Sequence, residues 1–346
     1  GSSAMPKPVL RSHRAETWSV ESYIKGWAFE TGDRVFVPLS LAWAWGLTVQ
    51  SMTTIGSGAT LYLDKSFNPV RALEAFEKYR ITTFAGTGSM YAMLMDVLKE
   101  RNFDISSLKK LFIGGEPSNA NTVETVQAHF KLKLFEGYAM SESFPHLVLH
   151  PRDDVNAPKG AVGRRVGDDA EIRLIDSDGN DVPHGEVGHA ILRSPGRMTE
   201  YYREPEMTSD RFMEGGWVKT GDLLREDENG YFFFEGRISD LIIRGGANIS
   251  PVEIEDAASR HPLVKDIVVV GIPDEARGEK VVATVVAKSD ELSEAALFDF
   301  FEQNLAKYKV PQIILFTKDL PVGATGKINR KAVRAMVLEK TDASQG

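Results

Sequence analysis

The sequence predicts an α/β large domain, with a mostly parallel sheet and a small antiparallel β-barrel, followed by a small α+β C-terminal domain. Three observations carry this. Short apolar runs alternate with helix-periodic segments up to about residue 150, the pattern of a parallel sheet with helices on its faces. From about 160 to 235 the texture changes to residue-by-residue alternation broken by turns. Beyond Gly236, helix and strand signals return in an order that forms a compact module of its own.

In the large domain, Arg34–Pro38, Thr60–Leu63, Thr82–Ala85, Lys110–Ile113 and Lys133–Phe135 read as short buried strands. Val70–Tyr79, Met90–Arg101 and Asn121–Phe130 repeat apolar residues at helical spacing. Ala170–Ile175, Glu186–Leu192 and Gly230–Phe234 alternate as strands, with turns at Asp178-Gly179 and Glu228-Asn229-Gly230. In the small domain, a helix over 251–260 takes Ser250 as N-cap and Pro251 as first residue, with Glu253 closing a capping box. Strands at 266–272, 281–287 and 312–316 and a helix at 293–307 complete it. The domains are therefore placed at 1–235, with the barrel over about 160–235, and at 241–346, joined by 236–240.

Composition excludes several classes. The 346 residues carry 41 basic against 49 acidic side chains, a net charge of −8, and no dense basic tract, which argues against nucleic acid as a partner. With zero cysteines there is no disulfide framework, thiolate metal site or cysteine nucleophile, so any thiol chemistry must use a thiol brought from outside. No apolar run is long enough to span a bilayer and no signal-peptide pattern appears, which makes the cytoplasm the default compartment. His146 and His150 have i,i+4 spacing without a further ligand, and read as capping or surface-lining residues.

Several segments have the residue types of a nucleotide site. Gly114-Gly115-Glu116-Pro117 follows a strand, where glycines let the backbone approach a flat ligand, although alone it reads as a tight turn. In Glu136-Gly137-Tyr138-Ala139-Met140-Ser141-Glu142, Tyr138 offers an aromatic face, Ser141 a hydroxyl for phosphate and Glu142 a hard oxygen suited to Mg²⁺. Thr220-Gly221-Asp222 sets a carboxylate just after a turn, and Arg237 adds a rigid donor fork. Gly245 and Gly246 form a pair that suits either an extended chain beside a narrow ligand or a simple turn. Lys327 ends a Gly-Ala-Thr-Gly-Lys run that is not a P-loop, since its spacing fails at Pro321 and Ile328 replaces the Mg²⁺-binding hydroxyl.

In this order, the segments at 137–142, 220–223, 236–240 and 320–330 resemble the acyl-adenylate-forming (AMP-binding) superfamily, and among its members the acyl-CoA synthetases. The resemblance implies that Gly114, Gly115, Glu116 and Pro117 pack against adenine, with Glu136, Gly137 and Tyr138 beside them. It gives Asp222 and Arg237 the ribose and phosphate, Ser141 a phosphate, and Glu142 Mg²⁺. It makes Lys327 the catalytic cation and sets Gly245 and Gly246 beside the pantetheine arm of CoA. Ser2, Ser3 and Lys7 fit the family's phosphate loop, while Ala4 and Pro8 stand where glycines are expected. The chain then begins at that loop, and a segment that precedes it in relatives is missing or supplied by another chain. Ser239 occupies the hinge position, which needs torsional freedom more than a particular side chain. The C-terminal domain is expected to be mobile about 236–240.

The implied activity is ATP-dependent conversion of a carboxylic acid to acyl-AMP, followed by rotation of the small domain and transfer to CoA. A carrier-protein thiol as acceptor, and a non-catalytic nucleotide-binding homologue, are the alternatives. A homo-oligomer is compatible with either. Relatives often carry a histidine that gates the acyl site within 38–46. Here Trp43 and Trp45 stand instead, either as a flat apolar wall for an aryl or branched acyl group or as core packing, with Ala139 and Met140 as further candidates.

Overall fold

One mixed sheet of eleven strands organises the first of the two units into which this computed structural model divides, between Phe234 and Glu235. Residues 7–115, 120–322 and 328–342 are described. In chain order the unit begins β1 (Val9–Leu10), α1 (His13–Gly26), β2 (Arg34–Val37), then a π-helix at Trp45–Met52 running into α2 (Thr53–Gly56). Next come β3 (Thr60–Leu63), α3 (Pro69–Tyr79), β4 (Thr83–Gly86), α4 (Gly88–Glu100), β5 (Lys110–Gly114), α5 (Ala120–Phe130) and β6 (Leu134–Met140). The remainder is mostly strand: β7 (Ser143–Val148), β8 (Ala161–Arg165), β9 (Glu171–Ile175), β10 (Val187–Arg193), β11 (Glu200–Tyr201), α6 (Pro205–Arg211), β12 (Val218–Glu226) and β13 (Phe232–Arg237).

Strands β3, β2, β4, β5 and β6 lie side by side and parallel, and the central β2, β4 and β5 are almost wholly buried because both of their faces are covered. The alternation is visible within β5: Leu111 and Ile113 enter one core with Phe76 of α3, Tyr91 of α4 and Val126 of α5. Phe112 points the other way, into a second core with Trp27, Tyr23 of α1 and Val49 of the π-helix, its ring stacked on Trp27 at 4.1 Å. Phe76 is fully buried, so Phe76→Ala is expected to cost about 3–5 kcal/mol.

The parallel run stops at β6, which turns back through Ser141-Glu142 into antiparallel β7. The order continues β7-β8-β13-β12-β10-β9, so the antiparallel strands continue the main sheet rather than standing apart. Tyr138, Leu147, Val162, Leu192, Leu224 and Phe232, from strands across this region, share one hydrophobic cluster on the antiparallel half of the sheet.

The second unit holds β14 (Ile242–Arg244), β15 (Ala247–Ile249), α7 (Pro251–Ser259), β16 (Val264–Asp274), β17 (Gly278–Ala287), α8 (Glu294–Asn304), β18 (Ile313–Phe316) and α9 (Arg330–Asp342). Ile267 and Val269 of β16 face α7 and α8, while Val268 and Val270 face Val333 and Val337 of α9. The capping box does not form. The Ser250 hydroxyl donates to the Glu235 carbonyl, and Glu253 instead pairs with Lys309 at 2.6 Å, so Pro251, which has no N–H to satisfy, opens the helix alone.

Candidate active site

The ends of β5 and β6 are built for close approach. Gly114 pairs with Gly137, and a Cβ on Gly114 would stand 2.8 Å from the Gly137 carbonyl oxygen. Gly115 has φ +84°, and a Cβ there would meet Trp45 at 3.0 Å and Trp43 at 3.3 Å. Both conditions exclude a side chain. Glu116 and Pro117 lie outside the described residues. Trp43 and Trp45 are perpendicular, 5.3 Å between ring centroids, and partly buried against the Trp27–Phe112 core. They thus pack on the core and also roof Gly115. Gly46 holds them there, since a Cβ at that position would lie 2.4 Å from the Ser40 carbonyl oxygen.

Asp222 is placed by a bulge. Lys219 pairs with Ile191 and Leu223 with His189, so Thr220, Gly221 and Asp222 together face Ala190. Gly221 takes φ +77°, and the Thr220 hydroxyl donates to the Ala190 carbonyl at 2.8 Å while accepting the Asp222 N–H at 2.9 Å. Asp222 therefore sits inside β12 rather than after a turn, and its Oδ2 accepts the Tyr138 phenol at 2.7 Å. Tyr138 is 8% exposed and packed in the hydrophobic cluster of the antiparallel strands, so its ring and hydroxyl are both engaged. Glu136 and Gly137 are half-buried on the same strand, beside exposed Ala139 and half-buried Met140.

Glu142 occupies the β6–β7 turn with Ser141, both half-buried. Its carbonyl accepts the Met198 N–H at 2.6 Å. Its carboxylate Oε1 accepts the Tyr201 hydroxyl at 2.5 Å and an Arg211 Nη2 proton at 3.4 Å. Burial, and then the hydrogen bond to Glu142, push the Tyr201 phenol well above its ordinary pKa, so it stays a donor. Lys7 lies with its ammonium 5.5 Å from the centre of the Tyr201 ring, carried there because β1 pairs with β11. Ser2 and Ser3 lie outside the described residues. A Cβ on Gly221 would be 3.8 Å from Arg211 Nη1, so this guanidinium extends from Glu142 toward the Asp222 bulge.

Sequence reasoning missed Tyr201, Arg211 and Thr220. The available signal was the aromatic and basic content of 201–211, but its meaning rests on pairing with β1 and on contact with Glu142, both remote in sequence.

In the second unit, Arg237 ends β13, exposed, just before the 3-10 turn Ile238–Asp240. Gly245 and Gly246 are the two central residues of the β14–β15 hairpin, with φ +58° and +83°. They form a simple turn, in the left-handed geometry that glycine favours at both positions. Lys327 lies outside the described residues. His146 corrects its expected surface role. It is 1% exposed with neither ring nitrogen hydrogen-bonded, and burial lowers its pKa to about 3. His150 does cap, accepting the N–H groups of Arg152 and Asp153 at its Nδ1.

Among the described residues no group of three or more His, Asp or Glu is placed to cage a metal. Glu142 fits Mg²⁺ of another kind. Mg²⁺ carried by a polyphosphate takes one or two carboxylates from the protein, and Glu142 has one oxygen engaged and the other without a hydrogen bond among the described residues. No described helix is long and apolar enough to cross a membrane.

The profile of the AMP-binding enzymes matches residues 1–202, and that of the AMP-binding enzyme C-terminal domain matches 253–327. An uncharacterized acyl–CoA ligase, YtcI, of Bacillus subtilis (strain 168) is 33% identical over 354 residues, covering 96% of this chain and 64% of its own length. A feruloyl-CoA synthase of Amycolatopsis is 32% identical over 335 residues, covering 96% of this chain and 68% of its own. ATP-bound MatB from Rhodopseudomonas palustris matches with a TM-score of 0.90 at 28% identity, over 97% of this chain and 66% of that one. The chain thus spans about two thirds of the length of these relatives. Similarity that reaches across both units, on strand ends shaped as described, makes this chain a member of the AMP-binding enzyme family.

Proposed function

We propose that the chain activates a carboxylic acid with ATP, releasing pyrophosphate and forming acyl-AMP, and then passes the acyl group to the thiol of CoA. The observation that carries this reading is that Arg211 extends from Glu142 toward the Asp222 bulge, setting a carboxylate for sugar hydroxyls near a carboxylate for a phosphate-borne cation. Relatives that include a feruloyl-CoA synthase support the acid and the acceptor.

In this scheme Asp222 accepts hydrogen bonds from the ribose hydroxyls, with Tyr138 fixing the carboxylate plane. Gly114 and Gly115 bring the end of β5 beside the adenine as backbone, and Lys7 and Arg211 offset charge on phosphate oxygens. Glu142 would hold Mg²⁺, which when bound would neutralise charge on the leaving pyrophosphate. Lys327 stabilises the negative charge that builds as the carboxylate attacks the α-phosphate, an effect of several kcal/mol in a dry site. Arg237 contributes at the ribose or phosphate, and Gly245-Gly246 at the pantetheine arm. Thiol attack on the acyl carbon then forms the C–S bond and breaks the C–O bond to AMP. The chain has zero cysteines, so the acceptor brings the thiol. Trp43 and Trp45 favour flat or branched acids over long flexible ones.

Pyrophosphate exchange over a panel of carboxylic acids tests the first half-reaction, and thioester formation with CoA the second. AMP binding without exchange for any acid would refute the activity while leaving the nucleotide site in place.

A further inference from the structure

Tyr201 serves two groups at once. Its hydroxyl donates to Oε1 of Glu142 at 2.5 Å, and its ring carries the Lys7 ammonium at 5.5 Å from the centroid. The tyrosine is 1% exposed and its backbone is fastened on both sides. Val9 pairs with Tyr201 across β1 and β11, the Tyr202 N–H donates to the Pro8 carbonyl at 2.8 Å, and the Tyr201 N–H donates to the Thr208 hydroxyl at 3.0 Å. Neither the ring nor the hydroxyl is free to drift.

Two consequences follow from electrostatics. A carboxylate that receives both its donors on one oxygen presents the other to a cation, and both donors of Glu142, Tyr201 and Arg211, go to Oε1. An ammonium near a carboxylate tends to pair with it directly, and an aromatic ring that binds the carboxylate through its hydroxyl offers the cation a competing seat on its face. Lys7 is seated on that face, and no ion pair joins it to Glu142 in the structure.

We propose that Tyr201 is a positioning residue that reserves Oε2 of Glu142 for the divalent cation of a metal–nucleotide and keeps Lys7 from neutralising that carboxylate. This rests on the reading that the site binds a nucleotide with its metal. The role is distinct from nucleotide affinity as such, because neither function of the ring touches the adenosine end at Asp222.

The test uses the full chain, Mn²⁺ as the probe ion and two readouts. Electron paramagnetic resonance of free Mn²⁺ follows Mn²⁺·ATP binding, and calorimetry follows AMP without metal. Tyr201→Phe keeps the ring and removes the donor. It is expected to weaken Mn²⁺·ATP about tenfold, the order of one lost charge-assisted hydrogen bond, while AMP affinity stays within about twofold. Tyr201→Leu removes the ring as well and is expected to weaken Mn²⁺·ATP further. In a Glu142→Gln background Tyr201→Phe is expected to have no additional effect on the metal. Unchanged Mn²⁺·ATP affinity in Tyr201→Phe, equal loss of AMP and Mn²⁺·ATP, or a full effect in the Glu142→Gln background would each overturn the positioning role. Failure of the unsubstituted chain to bind either probe would instead overturn the nucleotide reading, and this role with it.

Discussion

The phenol of Tyr138 donates to Oδ2 of Asp222 at 2.7 Å, tying the last parallel strand to a bulge in β12 that lies 84 residues further along the chain. Both residues are nearly buried, so the bond is sheltered from water. A bond to an ionised acceptor in such a place contributes about 1.5–3 kcal/mol. Tyr138→Phe is therefore expected to leave Asp222 able to turn, and to weaken AMP binding about tenfold by calorimetry. An affinity within about twofold of the unsubstituted chain would mean that Thr220 and the bulge fix the carboxylate unaided.

Gly115 combines a left-handed backbone with two indoles overhead. Gly115→Ala is expected to lower stability by about 2–4 kcal/mol, part from the left-handed conformation and part from overpacking against Trp45. Adding Trp45→Phe relieves only the second part. Urea denaturation of the single and double variants checks this, and complete recovery in the double variant would show that backbone conformation contributes nothing.

His146 makes stability depend on pH. Burial lowers its pKa from 6.5 to about 3, so the folded chain keeps the ring neutral in a range where the unfolded chain protonates it. As pH falls below 6.5 the unfolded state therefore binds more protons, and stability drops by about 1.4 kcal/mol per unit until the folded value near 3 is reached. His146→Phe removes the group. Between pH 6.5 and pH 5 the unsubstituted chain is expected to lose about 2 kcal/mol more than the variant in urea denaturation. Equal losses would assign the acid sensitivity to other groups.

Lys327→Ala is expected to cripple pyrophosphate exchange yet leave thioester formation from supplied acyl-AMP largely intact. In the proposed scheme the charge it offsets belongs to the first half-reaction only. Equal loss in both half-reactions would count against that division of labour.

Much of the parallel half was legible because β2, β4 and β5 are buried on both faces and show as apolar runs. α3 was legible from its helical spacing over Val70–Tyr79, and in the structure Asn68 caps it and Pro69 opens it. Helix α1 was not, since its sequence is largely polar and its few buried residues include Ala15, Ser19 and Gly26. The capping box over Ser250 was a sound local signal overridden from outside the helix, by the Glu235 carbonyl and by Lys309. Asp222 and Glu142 could be named as candidate acids. What surrounds them could not, because Tyr201 and Arg211 meet Glu142 across separations of 59 and 69 residues. His146 looked like a surface residue because a buried imidazole without partners leaves no mark on local pattern.

The irregularity in β12 separates two kinds of information held by one strand. Three residues there stand opposite one, so the strand resumes with its pleat in phase, and Val218 and Leu224 both point inward on either side of the detour. Excising a pair of residues from the detour would let the ladder zip shut with its apolar teeth still meshed. The result would be a well-folded molecule stripped of the acid proposed to bind the sugar. Architecture and the proposed chemistry can thus be lost independently at this point, and a shortened loop here would mark a descendant expected to keep the shape and give up nucleotide binding.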